Sequence, residues 1–356
     1  MELQRAKTAV LEATKKLVAS HLVARTWGNI SCRVGEGQFL ITPSGKAYEG
    51  MTEEQLVLVS LQDLSYEGEV KPSSEKGIHA LVYRLHPEAR FVIHTHQEMA
   101  SLASLLAQDI QVCDEWKELL GETIPTAHYG LPGTKGLQNH IHRVLKENSC
   151  SSILMASHGV LCFGTCAQEA FSIAEALEIV CDSYIKKRSP VLGSIQTKPE
   201  LSVIAQRNDG KIIFSGRSDS LLQDCSRLLL EQRAKDGFIF FLESEEVLKV
   251  ASTDKKLGAY LDDFAQIAGP SIVVVKQKDS ASLSLKNRDA LLLEGVGAFC
   301  YGKTEKYAEA VGMLVQKNCK AALLSKTELH VHPLPLLDRY LMRAVYTHTY
   351  ATLQTE

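Results

Sequence analysis

The sequence predicts an α/β protein built as two domains. Short apolar strands alternate with amphipathic helices through both halves of the chain, which is the pattern of α/β folds. The run Lys186-Lys187-Arg188-Ser189-Pro190 interrupts that alternation near the middle, and 356 residues exceed what one hydrophobic core usually organises. The boundary falls at 195, giving domains 1–195 and 196–356, with 188–200 read as a linker.

In chain order, Leu3, Ala6, Val10, Ala13 and Leu17 recur three and four residues apart and predict a helix over 3–23. Ile30–Val34 and Phe39–Ile41 flank Gly35-Glu36-Gly37 and read as a hairpin. A strand at 56–59 precedes a polar loop, after which a helix is expected to start at Ser73 or Ser74. Arg90-Phe91-Val92-Ile93 reads as a buried strand running into His94-Thr95-His96. Helices follow at 99–106 and 137–147, apolar runs at 153–155 and 160–163 flank His158, and a long helix covers 167–187. In the second half, strands are predicted at 211–214, 238–242, 272–275 and 290–293, with helices at 218–235, 244–268, 305–325 and 335–349.

Composition excludes several function classes. A net charge of −3 argues against a nucleic-acid protein that relies on a strong basic field. No run approaches the ~20 apolar residues of a membrane span. Lys7, Glu12, Lys15 and Lys16 interrupt the N-terminal region, so no signal peptide is expected. Nine scattered cysteines without a C-x-x-C pair indicate reduced, cytosolic usage, with most thiols serving as small apolar groups.

The strongest local signal for chemistry is His94-x-His96 at the end of an apolar strand. Side chains alternate across a strand, and the two rings are expected to converge on one ion only where the backbone turns. Imidazole is a common zinc ligand, and a catalytic zinc takes three protein ligands and keeps one position open. His158, in the turn Ser157-His158-Gly159, is a candidate third ligand; the competing reading makes all three histidines hydrogen-bonded turn residues. In Lys71-Pro72-Ser73-Ser74-Glu75, Pro72 disfavours helix just before two hydroxyls able to cap one. Such an N-terminus suits an anion, or is an ordinary cap with a first-turn carboxylate. Trp27-Gly28-Asn29 and Thr42-Pro43-Ser44-Gly45 are turn sequences whose amides and hydroxyls also suit an oxyanion.

Together, and in this order, G-N-x-S, T-P-S-G, P-S-S-E, H-T-H and S-H-G resemble the class II aldolase/adducin family over residues 5–187. The resemblance implies a three-layer α/β/α sandwich and homo-oligomers with sites between subunits. It implies zinc on His94, His96 and His158, with Glu75 as acid/base. It places a sugar phosphate's phosphate on Gly28, Asn29, Ser44, Gly45, Ser73 and Ser74, with neither nucleic acid nor membrane as partner. Three imidazoles also suit other first-row ions. Cleavage of a ketose phosphate to dihydroxyacetone phosphate and an aldehyde is the expected reaction; a sugar-phosphate epimerase, a dehydratase or a non-catalytic adducin-like module are the alternatives. Epimerases of the family usually have Asp where this chain has Glu75. The dehydratases place their acid/base downstream of H-T-H, which makes Glu115 a candidate against its reading as a solvated helix-start charge. The tyrosine that the fuculose-type aldolases contribute from a neighbouring subunit has no counterpart between Gln108 and Ile124, and Tyr129 stands at a different place.

The second half carries an internal echo. His158–Gly164 aligns with Val296–Gly302 at an offset of 138 residues, and Cys181 with Cys319. A degenerate duplicate and a chance likeness of strand–turn–helix units both fit. If it is a duplicate, Val296 stands where the first copy has a histidine. His330-Val331-His332 lies in a Pro-rich loop and reads as structural, as does Cys300 with no basic neighbour.

Overall fold

The computed structural model describes residues 2–20, 28–195, 200–216, 219–233, 235–285, 288–328 and 330–350. Trp27 and residues 196–199 of the expected linker lie outside the described residues. The chain divides into two compact units, with the main break at Ile185/Lys186. Among the described residues no helix is long and apolar enough to cross a membrane.

The first unit runs α1 (Leu3–Ala19), β1 (Gly28–Val34), β2 (Gln38–Ile41), β3 (Val57–Ser60), α2 (Lys76–Leu85), β4 (Phe91–Thr95), α3 (Glu98–Ser104), β5 (Ile110–Gln111), α4 (Lys117–Leu120), β6 (Thr123–Ile124), β7 (Thr126–Ala127), α5 (Lys135–Glu147), β8 (Ser152–Met155), β9 (Gly159–Gly164) and α6 (Ala167–Arg188), whose last residues enter the second unit. Seven strands form one sheet in the order β3-β2-β1-β4-β9-β8-β7. All neighbours are antiparallel except β7 and β8.

The alternation of side chains divides the sheet's two faces. Phe39, Ile41, Val57, Val59, Val92, Leu161 and Phe163 point to one face, where α2 and α5 supply Ile78, Val82, Leu137 and Ile141. α1 packs on β1, and α3 on β8 and β9. α6 holds α3 through Gln97 Nε2 on the Ala174 carbonyl and Glu178 on the amides of Met99 and Ala100. The outcome is a three-layer α/β/α sandwich. On α1 the apolar stripe begins at Ala6, because Leu3 is exposed.

The expected start of α2 needs correction. Neither serine caps it: Glu75 is the N-cap residue, and the Ser73 hydroxyl accepts the Glu75 amide at 3.2 Å instead. Ser73 is held back from the helix by its own amide, which pairs with the Thr42 carbonyl.

The second unit comprises α7 (Pro190–Gly193), β10 (Glu200–Asn208), β11 (Lys211–Phe214), α8 (Ser220–Glu231), β12 (Gly237–Glu243), α9 (Glu245–Thr253), β13 (Lys256–Gly258), α10 (Asp262–Ile267), β14 (Ser271–Val275), β15 (Ala290–Leu293), β16 (Gly297–Gly302), α11 (Glu305–Ser325) and α12 (Leu336–Val345). Its sheet has the order β11-β10-β12-β16-β15-β14-β13. Two expectations fail here. The strand β10 was not expected, and it pairs along its length with β12 and over its last residues with β11. The single helix expected over 244–268 is two helices, because Lys256–Gly258 leaves the helical path to pair with β14.

The two sheets share a six-strand run. The series β2-β1-β4-β9-β8-β7 and β11-β10-β12-β16-β15-β14 have the same pairing senses throughout, with one parallel pair at the end. His94 lies opposite Leu161 in the first, and Phe241 opposite Phe299 in the second. In the second sheet the Phe241 and Phe299 rings meet edge to face, 5.3 Å apart, inside the apolar cluster that also takes Val296.

Candidate metal centre

His94, on β4, lies opposite Asn29 on β1 and Leu161 on β9. His96 follows two residues later, one position past the end of β4, and the two rings converge there. His158 arrives from the tight β8–β9 connection, where its amide bonds to the Met155 carbonyl. Ser157 before it has φ +59, a left-handed conformation uncommon outside glycine. Gly159 allows the close approach of the two strands: a Cβ there would lie 2.4 Å from the Thr95 carbonyl oxygen and 3.2 Å from His94 Cε1.

The three rings form a nearly equilateral group with centroids 4.7, 4.8 and 4.9 Å apart. His94 and His158 are buried and stacked, 4° from parallel; His96 is partly exposed and edge-on to both. One ligand atom from each lies within 4.8 Å of the others, and among the described residues no other group of His, Cys, Asp or Glu converges in this way.

Glu75, the N-cap residue of α2, enters the same space. Its Oε1 is 2.9 Å from His158 Nε2 and its Oε2 is 3.2 Å from His94 Nε2. His94 Nε2 is also 3.0 Å from His96 Nε2. His94 Nδ1 lies 2.8 Å from the Val160 carbonyl, which can only accept, so the proton of the neutral ring sits on Nδ1. Its Nε2 lone pair then faces a carboxylate oxygen and another imidazole nitrogen. Acceptors turned toward one another at such distances call for a positive charge between them, a proton on an imidazole or a metal ion. Three converging imidazoles, of which His94 is fixed by an outer hydrogen bond, with a carboxylate beside them, fit a divalent metal ion.

Burial pushes the Glu75 carboxyl upward, but positive charge on the His94 and His158 side outweighs it and holds the carboxyl well below the usual carboxylate range. The group is therefore ionised at neutral pH. Asn29 Nδ2 donates to Glu75 Oε2 at 2.8 Å.

Of the expected oxyanion residues, Gly28 and Asn29 pair with Thr95 and His94, and Ser73 and Ser74 directly precede Glu75. Pro43 and Pro72 form an isolated bridge, and the amides of Ser44 and Ser73 bond to the carbonyls of Lys71 and Thr42, so T-P-S-G and P-S-S-E run side by side. Ser73 is buried and Ser74 exposed. Tyr48, which the sequence did not single out, donates its hydroxyl to the Gly28 carbonyl at 2.6 Å and ties that strand end to the loop. Burial raises the Tyr48 hydroxyl's pKa. Glu115 sits exposed in the turn Asp114–Trp116. In the second unit His330 and His332 are exposed, and burial pushes the Cys300 thiol up, as suits a structural group.

The profile of the family described as class II aldolase and adducin N-terminal domain matches residues 8–185. A 5-deoxy-D-ribulose 1-phosphate aldolase of Bacillus thuringiensis is 28% identical over 59% of this chain and 98% of its own length. The L-fuculose phosphate aldolase of Escherichia coli K12 is 28% identical over 52% of this chain and 85% of its own. A 5-methylthioribulose-1-phosphate/5-deoxyribulose-1-phosphate aldolase of Escherichia coli O45:K1 reaches 32% over 52% of this chain and 86% of its own. With half of its length matched and the motif residues gathered into one site, this chain belongs to the class II aldolase and adducin N-terminal domain family.

Proposed function

We propose that the protein is a zinc-dependent aldolase that splits a ketose 1-phosphate into dihydroxyacetone phosphate and an aldehyde. The observation that carries this reading is the convergence of three imidazole nitrogens and the Glu75 carboxylate on one point. Relatives named as aldolases of three different sugar phosphates support the same reaction class.

His94, His96 and His158 would hold the ion. Bound there, zinc would polarise the ketose carbonyl and spread the negative charge left when the carbon–carbon bond breaks. Glu75, ionised and aimed at the same space, is the proton carrier. In the synthetic direction it accepts the proton lost from the α-carbon of dihydroxyacetone phosphate; in cleavage it passes a proton taken from solvent to that carbon, while the hydroxyl that becomes the aldehyde gives its proton to solvent. The phosphate group is assigned to the loops bearing Gly28, Ser44, Gly45, Ser73 and Ser74. The amides of Ser44 and Ser73 are engaged in pairing, so hydroxyls and the amides of Gly45 and Ser74 are its expected donors. Asn29, expected there too, turns its side chain to Glu75.

Incubation of the zinc-loaded protein with 5-deoxyribulose 1-phosphate and fuculose 1-phosphate, read by a reductase that consumes triose phosphate, tests the reading. Released triose phosphate, abolished by Glu75→Gln and His94→Ala, is expected. Epimerised or dehydrated sugar without triose phosphate would assign the chemistry to another branch. Full metal occupancy without turnover would favour the interaction module.

The domain division at 195, and the second domain as a degenerate duplicate with a structural or assembly role, are part of this proposal; the shared six-strand run supports them. Homo-oligomerisation is supported by α12. Its Leu336, Leu337, Tyr340, Leu341 and Val345 are 44% to 77% exposed, while Arg339 and Arg343 turn inward to the carbonyls of Pro270 and Ile267. Light scattering of the wild type and of Leu337→Glu tests it; a monomeric wild type rejects it.

A further inference from the structure

A chain of buried polar groups runs from Glu75 into the core beneath the metal centre. Asn29 Nδ2 donates to Glu75 Oε2 at 2.8 Å. Asn29 Oδ1 meets His79 Nε2, Ser31 Oγ lies 2.7 Å from His79 Nδ1, and the Tyr83 hydroxyl lies 2.7 Å from Ser31 Oγ. His79 and Ser31 are fully buried, and Tyr83 and Asn29 nearly so.

The direction of every proton in this chain follows from its first member. Asn29 Nδ2 donates to Glu75 Oε2, so the amide oxygen is the group turned to His79. That oxygen only accepts, so His79 Nε2 carries a hydrogen. Burial lowers the His79 pKa to about 3, which leaves the ring neutral and Nδ1 an acceptor. Ser31 then donates to Nδ1 and accepts from Tyr83. A reversed Asn29 amide would set its oxygen against Glu75 and two hydrogens against each other at His79.

We propose that His79 is a positioning residue for Glu75: by donating from Nε2 it locks the Asn29 amide in the orientation that holds the carboxylate on the histidine cluster. His79 and Glu75 are four residues apart at the start of α2, so one helical turn carries both the proton carrier and the residue that orients its partner. The role rests on the reading of Glu75 as acid/base.

Two measurements test it, one of them independent of turnover. In metal-free wild type, ¹⁵N shifts of the His79 ring are expected to show a neutral Nε2–H tautomer from pH 6 to 8. A Nδ1–H tautomer or an imidazolium overturns the proposal. In zinc-loaded protein, deuterium uptake at the α-carbon of dihydroxyacetone phosphate reads proton transfer by Glu75 alone. His79→Leu is expected to lower kcat for this exchange roughly 10- to 100-fold with KM and zinc content unchanged. A glutamine amide reaches as far as imidazole Nε2 and an asparagine only as far as Nδ1, so His79→Gln is expected to recover most of the rate and His79→Asn little. Wild-type exchange in all three variants, or equal losses in Gln and Asn, rejects the positioning role. Absence of exchange in the wild type would instead reject the aldolase reading, while the tautomer still decides the polarity of the chain. Variants that fail to fold leave the decision to the tautomer.

Discussion

Gly159 lies against the end of β4, and its replacement by alanine should disturb the metal centre without replacing a ligand. The added Cβ would sit 2.4 Å from the Thr95 carbonyl oxygen. Ordinary carbon–oxygen contacts begin near ~3.3 Å, so the strands must part by about 1 Å. The obstacle is backbone, paired in the middle of the sheet, and cannot rotate away. His94 lies one residue before Thr95, and His158 directly precedes Gly159, so the separation moves two of the three rings relative to each other. Ligand sets tolerate displacements of about 0.5 Å. Gly159→Ala should therefore weaken zinc binding by roughly 10- to 100-fold. It should also cost about 1–3 kcal/mol of stability through overpacking. At 2–4 °C for each kcal/mol, the unfolding temperature should fall by roughly 2–12 °C. Competition with a chelator measures the first effect, and calorimetry in EDTA the second. Wild-type zinc affinity together with a wild-type melting temperature would refute the argument that this glycine sets the spacing of the site.

Gly136, near the start of α5, provides the contrasting case: its Cβ would meet only Thr134 Oγ1 at 3.5 Å, so Gly136→Ala should stabilise by about 0.5 kcal/mol in a melting experiment. His79 binds a proton at about 3 in the folded state against 6.5 for the ordinary group, so its penalty is absent above pH 6.5 and grows as pH falls toward 3. Between pH 7.5 and 5, metal-free wild type should lose about 2 kcal/mol more unfolding free energy than His79→Gln, measured in urea. In the second unit Lys317 and Asp263 form a buried ion pair. Lys317→Met should cost about 3–5 kcal/mol in urea unfolding by removing the buried carboxylate's counter-charge, and adding Asp263→Leu should recover most of it.

The legible parts of the site are those written in contiguous residues. H-T-H at a strand end and S-H-G at a tight turn are local strings, and the geometry that joins them is the antiparallel pairing of β4 with β9. Ser73, Ser74 and Glu75 were legible as a helix start, but the cap position was misjudged by two residues or fewer, because the pairing of Ser73 with Thr42 delays the helix. His79 went unnoticed since a lone histidine on an apolar helix face looks like a core residue. Its spacing of four from Glu75 was the one available signal, and its partner Asn29 is fixed only by the β1–β4 register. Lys256–Gly258 shows the same limit in the fold: the apolar pattern continues across it, and only the pairing with β14 makes it a strand.

The second sheet indicates what the fold requires apart from the chemistry. Its strand run repeats the first, yet at the ladder position of His94 it carries Phe241, and at the offset of His158 it carries Val296. Gly297 keeps the glycine of the first copy, and the space a Cβ there would enter is taken by the Phe241 ring at 2.8 Å. The same close strand approach that admits an imidazole in one sheet admits a phenyl ring in the other. α8 covers this face as α2 covers the first, and begins with Asp219 at the N-cap position that Glu75 occupies in α2. There the carboxylate bonds to the Leu222 amide and serves its own helix. In α2 no such cap bond forms, and Glu75 is directed to the histidines and Asn29 instead. The two N-cap carboxylates thus serve different partners: the exposed Asp219 caps its own helix, whereas imidazoles and an oriented amide draw Glu75 away from its helix.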